Sequence, residues 1–101
     1  MAATPHTETT RLVTIIAAAE LWDQLQVDLR RLGAKGYTVT HASGWGGHGL
    51  REDSLLVTGN VRVETMVDPE IAAALFDHFA RVYPGRELIA YEQDVQALIR
   101  R

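Results

Sequence analysis

Two apolar stripes with helical spacing, each set between short runs of β-branched residues, restrict this chain to a layered domain of helices packed on a sheet. In the first stripe Leu21, Leu25, Leu29 and Leu32 recur at intervals of four, four and three, with Asp23, Gln24, Asp28, Arg30 and Arg31 between them. This spacing predicts an amphipathic helix over Glu20–Leu32, ended by Gly33 as its C′ residue. The second stripe, Ile71, Leu75, Phe79 and Val82, follows Asp68-Pro69 and stops at Pro84-Gly85. Asp68 suits an N-cap and Pro69 the first helical position, where a missing N–H does no harm.

Four strands are predicted around these helices. Arg11–Ala17 is short and β-branched, Tyr37–Ala42 begins after Gly36, and Leu88–Tyr91 lies beyond the second helix. Asn60–Val67 alternates, with Val61, Val63, Thr65 and Val67 on one face and Arg62, Glu64 and Met66 on the other. Residues 1–10 read as a polar tail, and Gln93–Arg101 as a short end with a final helical turn. The order βαββαβ predicts an α+β, ferredoxin-like sandwich over residues 11–101, with both helices on one face of an antiparallel sheet. The other face, with Thr38, Thr40, Arg62, Glu64 and Met66 or their alternates, carries enough apolar surface to predict self-association.

A length of 101 residues supports one core and one domain. The absence of cysteine excludes disulfides, thiolate metal sites and a cysteine nucleophile. With 10 Lys+Arg against 13 Asp+Glu the chain lacks the basic surface that nucleic acid requires. The nearly apolar run from Leu12 to Ala19 is far below the roughly 20 residues of a membrane span. The first ten residues lack the basic start and apolar centre of a signal peptide, so the expected location is cytoplasmic.

Between the second and third predicted strands lies Gly44-Trp45-Gly46-Gly47-His48-Gly49, followed two residues later by Arg51. Glycines lacking Cβ let backbone N–H groups approach an anion, and a guanidinium can fork onto two phosphate oxygens. The spelling G-x-G-x-x-G also fits a dinucleotide fingerprint, but no helical stripe follows the glycines and the chain runs toward another strand. The fingerprint therefore fails on context. A surface loop without a ligand is the plainer alternative, in which Arg51 is solvated and Trp45 packs back over the loop instead of marking a contact surface. His48 has neither a cysteine nor a second histidine at helical spacing, so no metal site is assigned. His41 and His78 read as ordinary surface or interface residues, and no catalytic residue is assigned.

The run Gly33-Ala-Lys-Gly-Tyr-Thr-Val-Thr40, with Gly44-x-Gly46 and Arg51 behind it, resembles the PII-like signal proteins. The branch associated with bicarbonate transport and carboxysomes is the nearest in pattern, and the likeness spans the chain after Thr10. The resemblance implies a homotrimer with adenine-nucleotide sites in the clefts between subunits and a T-loop, about residues 43–58, as output element. By position, Ile15, Thr38, Glu64 and Met66 match the surroundings of adenine and ribose. Gly44, Gly46, Gly47, His48, Gly49 and Arg51 match the phosphate side, and Arg100 and Arg101 match terminal arginines that reach phosphate. The implied ligands are ADP or AMP, cyclic AMP, and bicarbonate, and the implied partner is a bicarbonate transporter or another carbon-concentrating protein.

The chain also departs from that pattern. The connection Tyr83-Pro-Gly-Arg-Glu87 has no glycine-lysine phosphate loop, the T-loop lacks the modified tyrosine, and no cysteine-bearing tail follows. These differences argue against ATP preference, uridylylation and redox control. Two rivals remain: a dimeric α+β barrel enzyme, which requires His78 to face inward, and an interaction module without a ligand.

Overall fold

The computed structural model describes residues 6–42, 59–85 and 88–100. Its elements are β1 (Glu8–Ala18), α1 (Trp22–Arg31), β2 (Thr38–Ala42), β3 (Asn60–Val67), α2 (Pro69–Val82) and β4 (Leu88–Ala97), with a 3₁₀ turn at Ala19–Leu21 leading into α1. The strands form one antiparallel sheet in the order β2-β3-β1-β4. This is the ferredoxin-like α+β arrangement that the element order predicts.

Strand alternation decides which side chains meet the helices. Val13, Ile15 and Ala17 of β1 and Val61, Val63 and Val67 of β3 are buried against Leu25 and Leu29 of α1 and Leu75 and Phe79 of α2. Each large aliphatic side chain moved out of water here stabilises the fold by roughly 1.5–3 kcal/mol. On the open face the register brings Thr38, Glu64, Thr14 and Tyr91 into one row, and Thr40, Arg62, Ile16 and Ile89 into the next. Met66, Ile89 and Tyr91 remain substantially exposed there.

The first helix ends as its glycine predicts. Gly33 has φ +106°, its N–H donates to the Arg30 carbonyl, and the Ala34 N–H donates to the Leu29 carbonyl. These are the two bonds of a Schellman close, which satisfies carbonyls that the helix leaves unpaired. A Cβ at position 33 would stand 3.3 Å from Ile71 Cδ1. Gly33→Ala is therefore expected to lower stability by about 1–2 kcal/mol through the positive φ and this contact. Urea unfolding should show a lower midpoint at an unchanged m-value.

The ends of the sheet differ from the sequence reading. β1 begins at Glu8, within the segment read as a tail, and β4 continues through Gln93–Ala97 where a helical turn is expected. Each extension provides the other's partner, from Glu8 opposite Ala97 to Ala17 opposite Leu88. Arg11 also pairs with Glu92 and Asp94 across the two strands. Cross-strand pairing thus overrides the weak strand propensity of Glu-Gln-Asp. In α2, Asp68 occupies the N-cap position in extended conformation, but its side chain makes no capping hydrogen bond.

Candidate functional site

The alternation of β3 turns Arg62, Glu64 and Met66 toward the open face. Thr38, the first residue of β2, stands directly opposite Glu64, and Leu12 of β1 stands opposite Met66. Together with Gly36, Tyr37 and Thr65 they line a groove of about 290 Å³ at one corner of the sheet. Of the predicted site residues, Thr38, Glu64 and Met66 are therefore neighbours. Their chemistry is mixed: a carboxylate that only accepts, a hydroxyl that donates and accepts, and the adaptable apolar surface of Met66 and Leu12. Such a groove suits a flat, partly apolar ligand bearing hydroxyl groups. Arg62 Nη2 lies 3.8 Å from Glu64 Oε2 and offsets part of the carboxylate's charge.

One wall of this groove is tied to the interior. The Thr65 hydroxyl, from the buried side of β3, donates to the Gly36 carbonyl at 2.5 Å. The ring of Tyr37 meets that of Trp22 edge-on, with centroids 5.4 Å apart, and Arg30 Nη2 donates to the Tyr37 hydroxyl at 3.4 Å. Sequence reasoning missed Leu12, Tyr37 and Thr65 as groove residues. The signal for Thr65 was present: one hydroxyl among the inward valines of β3 has to find an acceptor.

Ile15 is not in the groove. Its side chain is fully buried on the helix side of β1, so only its neighbours on the strand reach the open face. Arg100 follows β4 as an exposed residue and does not line the groove. Gly44, Gly46, Gly47, His48, Gly49, Arg51 and Arg101 lie outside the described residues, as do Trp45 and the whole segment 43–58.

A second polar cluster joins the helices and corrects two expectations. Asp28, placed by its spacing on the polar side of α1, is 2% exposed, and His78, read as an ordinary surface or interface residue, is 7% exposed and lies between the two helices. Val82, assigned to the apolar stripe, is instead 47% exposed. The Tyr83 hydroxyl donates to Asp28 Oδ2 at 2.7 Å and Gln24 Nε2 to Oδ1 at 3.0 Å. His78 Nε2 stands 2.9 Å from Oδ2 but is not aligned as a hydrogen bond, so it acts as a close polar contact. Burial pushes the Asp28 carboxyl up, yet the hydrogen bond from Tyr83, the close approach of His78 and the hydrogen bond from Gln24 outweigh it and hold the group below the usual aspartate value.

His78 thus faces inward, as the barrel-enzyme reading requires, but it bridges α2 to α1 instead of overlooking the open sheet. The neighbouring groove of about 240 Å³, between α2 and β4, is lined by Phe76, Phe79, Ala80, Tyr83, Leu88 and Ala90 and is largely apolar. Among the described residues no group of three or more His, Asp or Glu side chains could hold a metal ion. No helix among them is long and apolar enough to cross a membrane.

A four-stranded antiparallel sheet with two helices on one face and a mixed polar and apolar groove at its open corner defines a small ferredoxin-like domain. The profile of the nitrogen regulatory protein P-II family matches residues 10–100, and the chain belongs to that family. It is similar to a PII-like signaling protein from Thermus thermophilus, with 35% identity over 91% of each chain and a TM-score of 0.76. It shares its fold with CPII from Thiomonas intermedia bound to ADP and bicarbonate, at 23% identity, 95% coverage of each chain and TM-score 0.83. The same protein bound to ADP, AMP and bicarbonate superposes with TM-score 0.78 at 22% identity, over 91% of this chain and 96% of that one. No curated protein matches the sequence.

Proposed function

We propose that this protein is a cytoplasmic, homotrimeric sensor that binds ADP or AMP at the Thr38–Glu64–Met66 groove and reports it through the segment 43–58. The observation that carries the reading is the convergence of these three residues, separated in sequence by up to 28 positions, on one groove with a hydroxyl, a carboxylate and an apolar wall. Glu64 accepts from ribose hydroxyls, while Gly44, Gly46, Gly47, His48, Gly49 and Arg51, with Arg100 and Arg101, supply the phosphate side. A neighbouring copy covers the open face, which accounts for the exposure of Met66, Ile89 and Tyr91.

Bicarbonate sits beside the nucleotide phosphate in this reading, held by loop N–H groups and a cation, and the output is control of inorganic-carbon uptake through a transporter or another carbon-concentrating protein. The ligands of CPII support this assignment. Ordering a glycine-rich segment costs on the order of 1–2 kcal/mol per residue, so the ligand that orders it first helps the second to bind.

Calorimetric titration with AMP, ADP, ATP and cyclic AMP, each with and without bicarbonate at constant pH and ionic strength, tests the proposal. ADP or AMP is expected to bind more tightly than ATP, because the connection from Tyr83 to Glu87 has no glycine-lysine cradle for a third phosphate. Bicarbonate is expected to raise nucleotide affinity by the factor by which nucleotide raises bicarbonate affinity. ATP binding about tenfold tighter than ADP, a difference of about 1.4 kcal/mol, would overturn the ligand preference. No heat with any nucleotide would overturn the sensor.

A further inference from the structure

We propose that Thr65, although it belongs to the buried side of β3, is a positioning residue that sets the base selectivity of the groove by holding the Gly36–Thr38 wall in place. The inference rests on the nucleotide reading of that groove. Its observation is the tie from the Thr65 hydroxyl to the Gly36 carbonyl, made by a side chain only 2% exposed.

The β2–β3 ladder holds this wall at Thr38, opposite Glu64, and the tie from Thr65 extends that hold to the residues before the strand. The chain between Gly33 and Thr38 has no regular structure, and an added Cβ at Gly36 would meet nothing within 4 Å. β2 is a five-residue strand at one edge of the sheet and, among the described residues, pairs on one side only. Before the ladder begins at Thr38, two side-chain anchors hold its entry: the Thr65 hydroxyl at Gly36, and the contacts of Trp22 and Arg30 with Tyr37. The Tyr37 anchor lies toward α1, whereas the Thr65 anchor acts from β3, the strand that carries Glu64 and Met66. Thr65 consequently fixes one wall of the groove relative to the other.

That distance matters more for a base than for a phosphate. A planar base is discriminated by donors and acceptors at its rim, which must be placed to a fraction of an ångström for a wrong base to leave buried polar groups unpaired. Phosphate attraction is long-ranged and tolerates displacement. Loosening the Gly36–Thr38 wall should therefore weaken ADP binding selectively and leave the contribution of the phosphates nearly untouched.

The substitution Thr65→Val keeps the shape and removes the hydroxyl, whereas Thr65→Ser keeps the hydroxyl and removes a methyl group. ADP and GDP titrations are run on the unaltered protein and both variants, with amide hydrogen exchange at Tyr37 and Thr38 followed in parallel. Thr65→Val is expected to bind ADP about tenfold more weakly with GDP affinity changed less than about twofold, as loss of one buried hydrogen bond implies. Exchange at Tyr37 and Thr38 should accelerate in that variant, and Thr65→Ser should restore both readings. A merely destabilised fold would lower ADP and GDP binding in parallel and leave their ratio unchanged. An unchanged ratio in Thr65→Val, with ADP still bound by the unaltered protein, overturns this inference alone. Absence of ADP binding by the unaltered protein overturns the nucleotide reading and this inference with it.

Discussion

Asp28→Ala should lower the unfolding free energy by about 3 kcal/mol at neutral pH, the scale on which removing one partner of a buried polar cluster acts. The substitution withdraws the acceptor of Tyr83 and Gln24 and the carboxylate that faces His78, all at a position 2% exposed. It also severs the side-chain tie between α1 and the end of α2. Asp28→Asn should cost less, because an amide oxygen still accepts from Tyr83 and roughly keeps the volume.

The pH dependence has a definite sign. Burial alone would raise the Asp28 carboxyl, but the hydrogen bond from Tyr83, the nearby His78 and the hydrogen bond from Gln24 hold it below the ordinary aspartate value in the folded protein. Its contribution is complete above the unfolded-state value of about 3.9 and is lost as pH falls through the lower folded-state value. The difference contributed by the carboxylate between the unaltered protein and Asp28→Ala should thus persist at about pH 5 and shrink only in stronger acid. Urea denaturation of both proteins across that range measures it. A neutral-pH difference below about 1 kcal/mol would mean that the cluster is balanced by its own desolvation.

Glu64→Ala should weaken ADP binding by about 1.5–3 kcal/mol, or roughly ten- to a hundredfold, if the carboxylate accepts hydrogen bonds from ribose. Removing a negative charge also relieves repulsion with the diphosphate, which acts in the opposite direction. At a separation of about 8 Å in water that relief is about 0.5 kcal/mol per phosphate charge before salt screens it, and Arg62 at 3.8 Å already offsets part of the carboxylate's charge. The lost hydrogen bonds therefore dominate. Titration of the variant, with its oligomeric mass checked beforehand against that of the unaltered protein, decides the matter. ADP affinity equal to that of the unaltered protein would remove Glu64 from the site.

The layers of the fold were legible because each rests on a local period. Leucines at four, four and three define α1, alternating valines define β3, and Gly33 closes its helix for a reason that a single residue carries. The alternation of β3 also assigned Arg62, Glu64 and Met66 to one face, whereas the pairing that sets Thr38 opposite Glu64 was decided by the sheet register. In these places sequence and structure share the same short-range physics.

Tertiary structure alone decided what depends on a distant partner. Gln93–Ala97 become strand because Glu8–Leu12 lie alongside them, and neither segment announces the other. Asp28 and His78 look like surface residues when each helix is read by itself. They become a buried cluster only when α1, α2 and Tyr83 meet, since the interior accepts a polar group once the opposite element supplies its hydrogen bonds. Ile15 shows the converse: resemblance assigned it to the ligand, but its parity on β1 turns the side chain into the core. Position along a strand can be read from the sequence, whereas the identity of what lies across from it is settled by packing.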